Sequence, residues 1–219
     1  MEKVSPAMPK KDFWLGILCG FLIGLMFMPV LAIANPDLYI RLKIAILPFF
    51  VIGTPFGLVI TYLIGRKFPV VQQFGKFFVT GVLNVLIDFG VLTLLTIFIK
   101  KYFQIESVDI LLAVGVLVVT VYSLYKAASF TVANINSYFW NKYWTFEKSG
   151  REKTEFVQFF IVSIVGFIIN VAVASFVFKY IHPLGGMNYE QWGLIGAAAG
   201  SIVGLVWNFL GYKFLVFKE

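Results

Sequence analysis

The chain has 219 residues, of which 60% are hydrophobic and only 13% charged, with a formal net charge of +7. That leaves too little polar surface to cover a soluble globule of this size, so the composition describes an integral membrane protein. A single cysteine, Cys19, and a single histidine, His182, exclude an intramolecular disulfide and a metal site built on His or Cys, and no cluster of carboxylates replaces them.

Six apolar stretches are long enough to cross a hydrocarbon core of ~30 Å as helices: roughly 13 to 34, 44 to 65, 77 to 99, 109 to 135, 157 to 181 and 192 to 214. The expected fold is therefore all-α and polytopic, with six transmembrane helices. A basic leader and Ala32-Ile33-Ala34 give the first span the look of a signal peptide. Its length, and the stripe of Gly16, Gly20 and Gly24 suited to close helix packing, favour a retained helix. Asn35-Pro36-Asp37 makes the next turn, and Gly65-Arg66-Lys67-Phe68-Pro69 ends an N-terminal hairpin, so that residues 1–66 and 67–219 are expected as two domains. Residues 109 to 146 are too long for one perpendicular span, at roughly 57 Å of helix, and must tilt, bend or run along the interface. The polar loop 147 to 155 comes next. In the last span Gly196, Gly200 and Gly204 form a second small-residue seam.

The cations sit at helix ends. With a cytoplasmic N-terminus, twelve of the eighteen fall on that side, Arg41, Lys43, Lys100 and Lys101 fall opposite, and Lys126 and Lys179 lie within spans. This bias places both termini in the cytoplasm and sets the basic rim against anionic membrane lipids rather than nucleic acid.

Residues 74 to 146 and 156 to 217 read as two copies of one membrane hairpin. Gln73-Phe74-Gly75-Lys76-Phe77-Phe78-Val79 matches Glu155-Phe156-Val157-Gln158-Phe159-Phe160-Ile161 at an offset of 82, which pairs Asp88 with Asn170. Asn141-Lys142-Tyr143-Trp144-Thr145-Phe146 matches Tyr212-Lys213-Phe214-Leu215-Val216-Phe217 at an offset of 71, so the first copy holds 11 extra residues (82 less 71). Each copy has an even number of spans, which makes the expected repeats (73–146 and 155–217) parallel; repeated hairpins are a common way to build transporters.

These motifs resemble the GtrA-like family of small membrane proteins. They are Phe77-Phe78-Val79-Thr80-Gly81-Val82-Leu83-Asn84 with Asp88, and Asn136-Ser137-Tyr138-Phe139-Trp140-Asn141-Lys142-Tyr143-Trp144-Thr145-Phe146, together with residues 156 to 170 and 208 to 217. The resemblance implies a four-helix unit in the bacterial cytoplasmic membrane that moves polyprenyl-phosphate-linked sugars, with that sugar lipid as its partner. It leaves the N-terminal hairpin without an assigned role. Where the family usually has arginine before the closing aromatic, this chain has Lys142 and Lys213, which keep the charge and lose bidentate phosphate geometry.

Asp88 is read as the carboxylate deep within a span, costly there unless paired or facing water. Asn84 lies one turn before it, and Lys126 falls at matching depth on the next span. Two readings stand: the charges fasten the helices, or Lys126 attracts a phosphate while Asp88 accepts sugar hydroxyls, with Asn134, Asn170 and Asn208 adding hydrogen bonds. The asparagines also have a plain reading as packing glue. Lys142 and Lys213 either load a lipid phosphate or snorkel to headgroups, and the repeat-equivalent Lys76 and Gln158 join the same polar ring. Without a phosphate-cradling glycine loop, paired carboxylates or an activated nucleophile, catalysis is not expected, nor is a cofactor. Three functions remain open: a translocator of lipid-linked sugar, a non-transporting partner that recruits a glycosyltransferase, and a small-solute or cation exporter. A homo-oligomer is compatible with each.

Overall fold

The computed structural model describes residues 8–114, 117–149 and 154–218. Without water to satisfy free backbone groups, apolar runs of this length become helices. Six α-helices occur among the described residues, in order α1 (Lys10–Ala34), α2 (Pro36–Gly65), α3 (Pro69–Phe103), α4 (Val121–Trp140), α5 (Glu155–Tyr180) and α6 (Tyr189–Gly211). Two five-residue π-helices, π1 (Asn141–Thr145) and π2 (Tyr212–Val216), continue α4 and α6. The helix starts obey local chemistry. Asn35 accepts a hydrogen bond from Leu38 N at 3.0 Å ahead of Pro36, and Thr120 and Ser123 form a capping box at the head of α4.

Five segments among the described residues are long and apolar enough to cross a membrane: α1, α2, α3, α5 and Ile195–Val216. The span expected over 109 to 135 is corrected. Its first part is an antiparallel hairpin, β1 (Ile110–Val114) with β2 (Leu117–Thr120), and helix begins only at Val121. Ile110, Val114, Val118 and Val119 are β-branched and favour a pleated strand, while Thr120 caps the start of α4. The hairpin stands inside the copy that the two offsets require to be longer. The length problem of residues 109 to 146 is thus resolved by a hairpin, a 20-residue helix and a π-helix in series.

The chain divides into two compact units, Met1–Thr145 and Phe146–Glu219. In the first, α1 lies on α2 through Gly16, Gly20 and Gly24. A Cβ on Gly20 would collide with the Phe50 carbonyl, and one on Gly24 would stand 3.2 Å from Leu47 Cα. The buried cluster of Cys19, Ile23, Leu58, Leu83, Leu86 and Trp144 draws on α1, α2, α3 and π1 together. The family-like motifs begin near residue 73, yet the N-terminal hairpin packs into the same unit as the first repeat.

In the second unit, Gly196, Gly200 and Gly204 meet the α5 backbone at Ala174, Asn170 and Gly166. Beyond them Phe159 stacks on Tyr212 at 4.0 Å between ring centres, and Phe146 stacks on Phe217 at 5.2 Å. Trp192 Nε1 donates to the Ile181 carbonyl at 2.8 Å, satisfying an acceptor just past the end of α5. Residues 150–153, the middle of the expected loop 147 to 155, lie outside the described residues.

Candidate functional site

Every fourth residue along one stripe of α3 is polar: Lys76, Thr80, Asn84 and Asp88. Twelve residues of helix give this stripe a length of about 18 Å. It faces the polar positions of α4 and π1 in antiparallel register. Asp88 accepts from Lys126 Nζ through Oδ2 and from Ser129 Oγ through Oδ1, the latter at 2.6 Å. One turn along, Asn136 Nδ2 donates to Asn84 Oδ1 at 2.6 Å, while Asn84 Nδ2 is buried without a hydrogen-bond partner. Thr80, fully buried, donates back to the Phe77 carbonyl at 2.8 Å.

The pair at one end of the stripe is partly open. The Lys126 side chain is 42% exposed and that of Asp88 17%. An anion can therefore reach the lysine without the aspartate leaving its helix.

The other end is closed, and it centres on a carboxylate that sequence reasoning passed over. Asp12, in the first turn of α1, is 1% exposed. Its Oδ2 lies 2.9 Å from Lys76 Nζ and accepts from the Tyr62 hydroxyl; its Oδ1 accepts from Trp144 Nε1 at 2.8 Å. Lys76 Nζ also donates to the Trp144 carbonyl at 3.4 Å and lies over the Tyr62 ring. Four elements, α1, α2, α3 and π1, are fastened at one point. A buried carboxylate persists only with such partners. The signal for it was present in Trp144, whose indole N–H needs an acceptor once buried.

Lys142 and Lys213 do not snorkel. They are 1% and 9% exposed, each within a π-helix, and the two π-helices stand 71 residues apart, the offset of the closing motifs. Lys142 Nζ donates to the Tyr138 hydroxyl at 3.1 Å and lies over its ring, as Lys213 lies over Phe214. The extra residue in each π-turn turns the lysine inward, a distortion frequent at functional sites.

The remaining expected residues are scattered. Asn134 is buried and donates to its own helix at Phe130 O, 3.0 Å away, so Asn136 rather than Asn134 joins the seam. Asn170 donates weakly to Ser201 at 3.5 Å, and Asn208 Oδ1 is packed against Gly166. Gln158 is partly buried on α5. At the offsets of 82 and 71, the positions of Asn84, Asp88 and Ser129 are held in the second unit by Gly166, Asn170 and Gly200. The polar seam of the first hairpin is there replaced by close backbone packing. Among the described residues no three His, Cys, Asp or Glu side chains gather to hold a metal.

No solved structure matches the chain. The chain is similar to the uncharacterized membrane protein YngA of Bacillus subtilis (strain 168), with 29% identity over 150 residues, 68% of this chain and 82% of that protein. The family model described as GtrA/DPMS, transmembrane domain, matches residues 76–217, which takes in most of α3 and everything from β1 to π2. The chain is thus a polytopic membrane protein belonging to the GtrA/DPMS transmembrane-domain family, with α1 and α2 outside the matched residues.

Proposed function

We propose that the protein passes a polyprenyl-phosphate-linked monosaccharide across the bacterial cytoplasmic membrane, for building or modifying cell-surface glycans, with no covalent step of its own. The observation that carries this reading is the half-open Asp88–Lys126 pair at the end of the α3–α4 seam. Ion pairs within membrane helices are costly and mark substrate pathways. Here the lysine is accessible to a phosphate, and the partly exposed Asp88, held by the buried Ser129 hydroxyl, offers a carboxylate to sugar hydroxyls. Family membership supports the same substrate class.

In this reading all six helices cross, α4 with its polar face against α3, and both termini are cytoplasmic. The two hairpins are then parallel repeats. Transfer runs down the gradient of newly made lipid-linked sugar.

The test is the double variant Asp88→Leu with Lys126→Met. Removing both charges of a pair with side chains of similar volume is often neutral for stability. We expect this variant to insert normally and to lose transfer of lipid-linked sugar in reconstituted vesicles. Full transfer by it would dismiss the site. Absence of transfer by the unaltered protein, given a verified substrate, would favour a partner that recruits a glycosyltransferase.

A further inference from the structure

As paired, Asp88 and Lys126 sum to zero charge. Ser129 on α4, which donates to Asp88, and the Asn136–Asn84 hydrogen bond one turn along the seam are uncharged. Tyr125, next to Lys126 on α4, is a buried phenol that feels Asp109. From α1, Met26 approaches the α3 stretch beside Asp88, its Cε 3.3 Å from where a Cβ on Gly90 would stand. Asp12 of α1 and Tyr62 of α2 sit at Lys76, about 18 Å along α3. Arg41 and Lys43 of α2 are exposed. Among the described residues no third charge touches the pair.

A sugar joined to a polyprenyl phosphate is a phosphodiester with one negative charge. Set on Lys126 beside an ionised Asp88, it would leave the site with an uncompensated charge among apolar helices, which the membrane disfavours strongly. We infer that substrate and proton are exchanged together: the phosphodiester takes Lys126 from Asp88, and Asp88 takes up one proton from water. This rests on the proposed function. Before the exchange there are an ammonium, a carboxylate, a phosphodiester anion and a proton; afterwards an ammonium–phosphate pair and a neutral carboxylic acid. One O–H bond forms at Asp88 and no bond to carbon or phosphorus breaks.

The geometry suits this exchange. Lys126 is the more exposed partner and is free to swing toward an arriving anion, whereas Asp88 stays on α3. The Ser129 hydroxyl, which now donates to Asp88 Oδ1, has the Lys126 carbonyl 3.1 Å away as a second acceptor, so it can turn aside when the acid is protonated. The loaded site is then neutral like the unloaded one. Transfer becomes electroneutral, responding to pH on the loading side and not to membrane voltage.

The test uses the full chain in phosphatidylcholine nanodiscs, a synthetic polyprenyl-phosphate glucose as probe, and a pH indicator in weak buffer. One proton taken up per lipid bound makes Kd rise about tenfold per pH unit. Asp88→Asn should abolish that slope and Asp88→Glu should restore it. If Asp88→Asn fails to fold, the proton count on the unaltered chain and the Asp88→Glu slope decide alone. Probe binding with a flat Kd and no proton uptake would overturn the coupling and leave the proposed function standing. No binding at any pH would overturn both. Phosphatidylglycerol, a phosphodiester with neither isoprenoid nor sugar, separates the sources: equal proton uptake with it would assign the site to bulk headgroups and overturn the exchange.

Discussion

Replacing Asp12 by alanine should be among the most destabilising single changes in the chain. Asp12 is buried and holds Lys76, Tyr62 and Trp144 at once, at 2.9 Å to the lysine and 2.8 Å to the indole. Its loss takes the Asp12 carboxylate from the buried Lys76 ammonium and removes the indole's acceptor. Breaking a buried pair on one side costs about 3–5 kcal/mol, and we expect about 4 kcal/mol here. Asp12→Leu combined with Lys76→Met removes both charges of the pair and should cost no more than about 1–2 kcal/mol, since apolar replacement of a whole buried pair is often neutral. The assay is reversible unfolding in mixed micelles, followed by tryptophan fluorescence, on the four chains of a double-mutant cycle. A single-variant cost below about 1 kcal/mol, or a double variant as unstable as the sum of the singles, would refute the argument.

Gly200→Leu should unseat α6 from α5, because even a Cβ there collides with the Asn170 carbonyl. Overpacking of this kind costs about 1–3 kcal/mol, and a thermal midpoint unchanged from the parent would count against the seam. Single cysteines at Asp37, Ser107 and Asn188 in a Cys19→Ala background should react with an impermeant thiol reagent added to intact cells, and one at Ser149 should not; the reverse pattern would overturn the orientation.

The amino-acid sequence set the class of the molecule, since an apolar run that crosses a bilayer must satisfy its own backbone groups, as the five long apolar helices among the described residues do. It also determined the two glycine stripes, the offsets of the repeats and the candidate standing of Asp88 and Lys126, because each rests on spacing along one helix or on composition. The hairpin in place of the head of the fourth span was not legible: a short apolar run rich in Val and Leu carries no periodicity that separates strand from buried helix. Nor was the choice of Asn136 over Asn134, which depends on how α4 is rotated against α3. Asp12 shows the limit most clearly. It stands 64 residues from Lys76 and 132 from Trp144 in the chain, and only the packing of α1 against α3 and π1 joins them. The inward turn of Lys142 and Lys213 was likewise decided by the π-helical backbone, whose extra residue per turn sets where a side chain points and leaves no mark in composition.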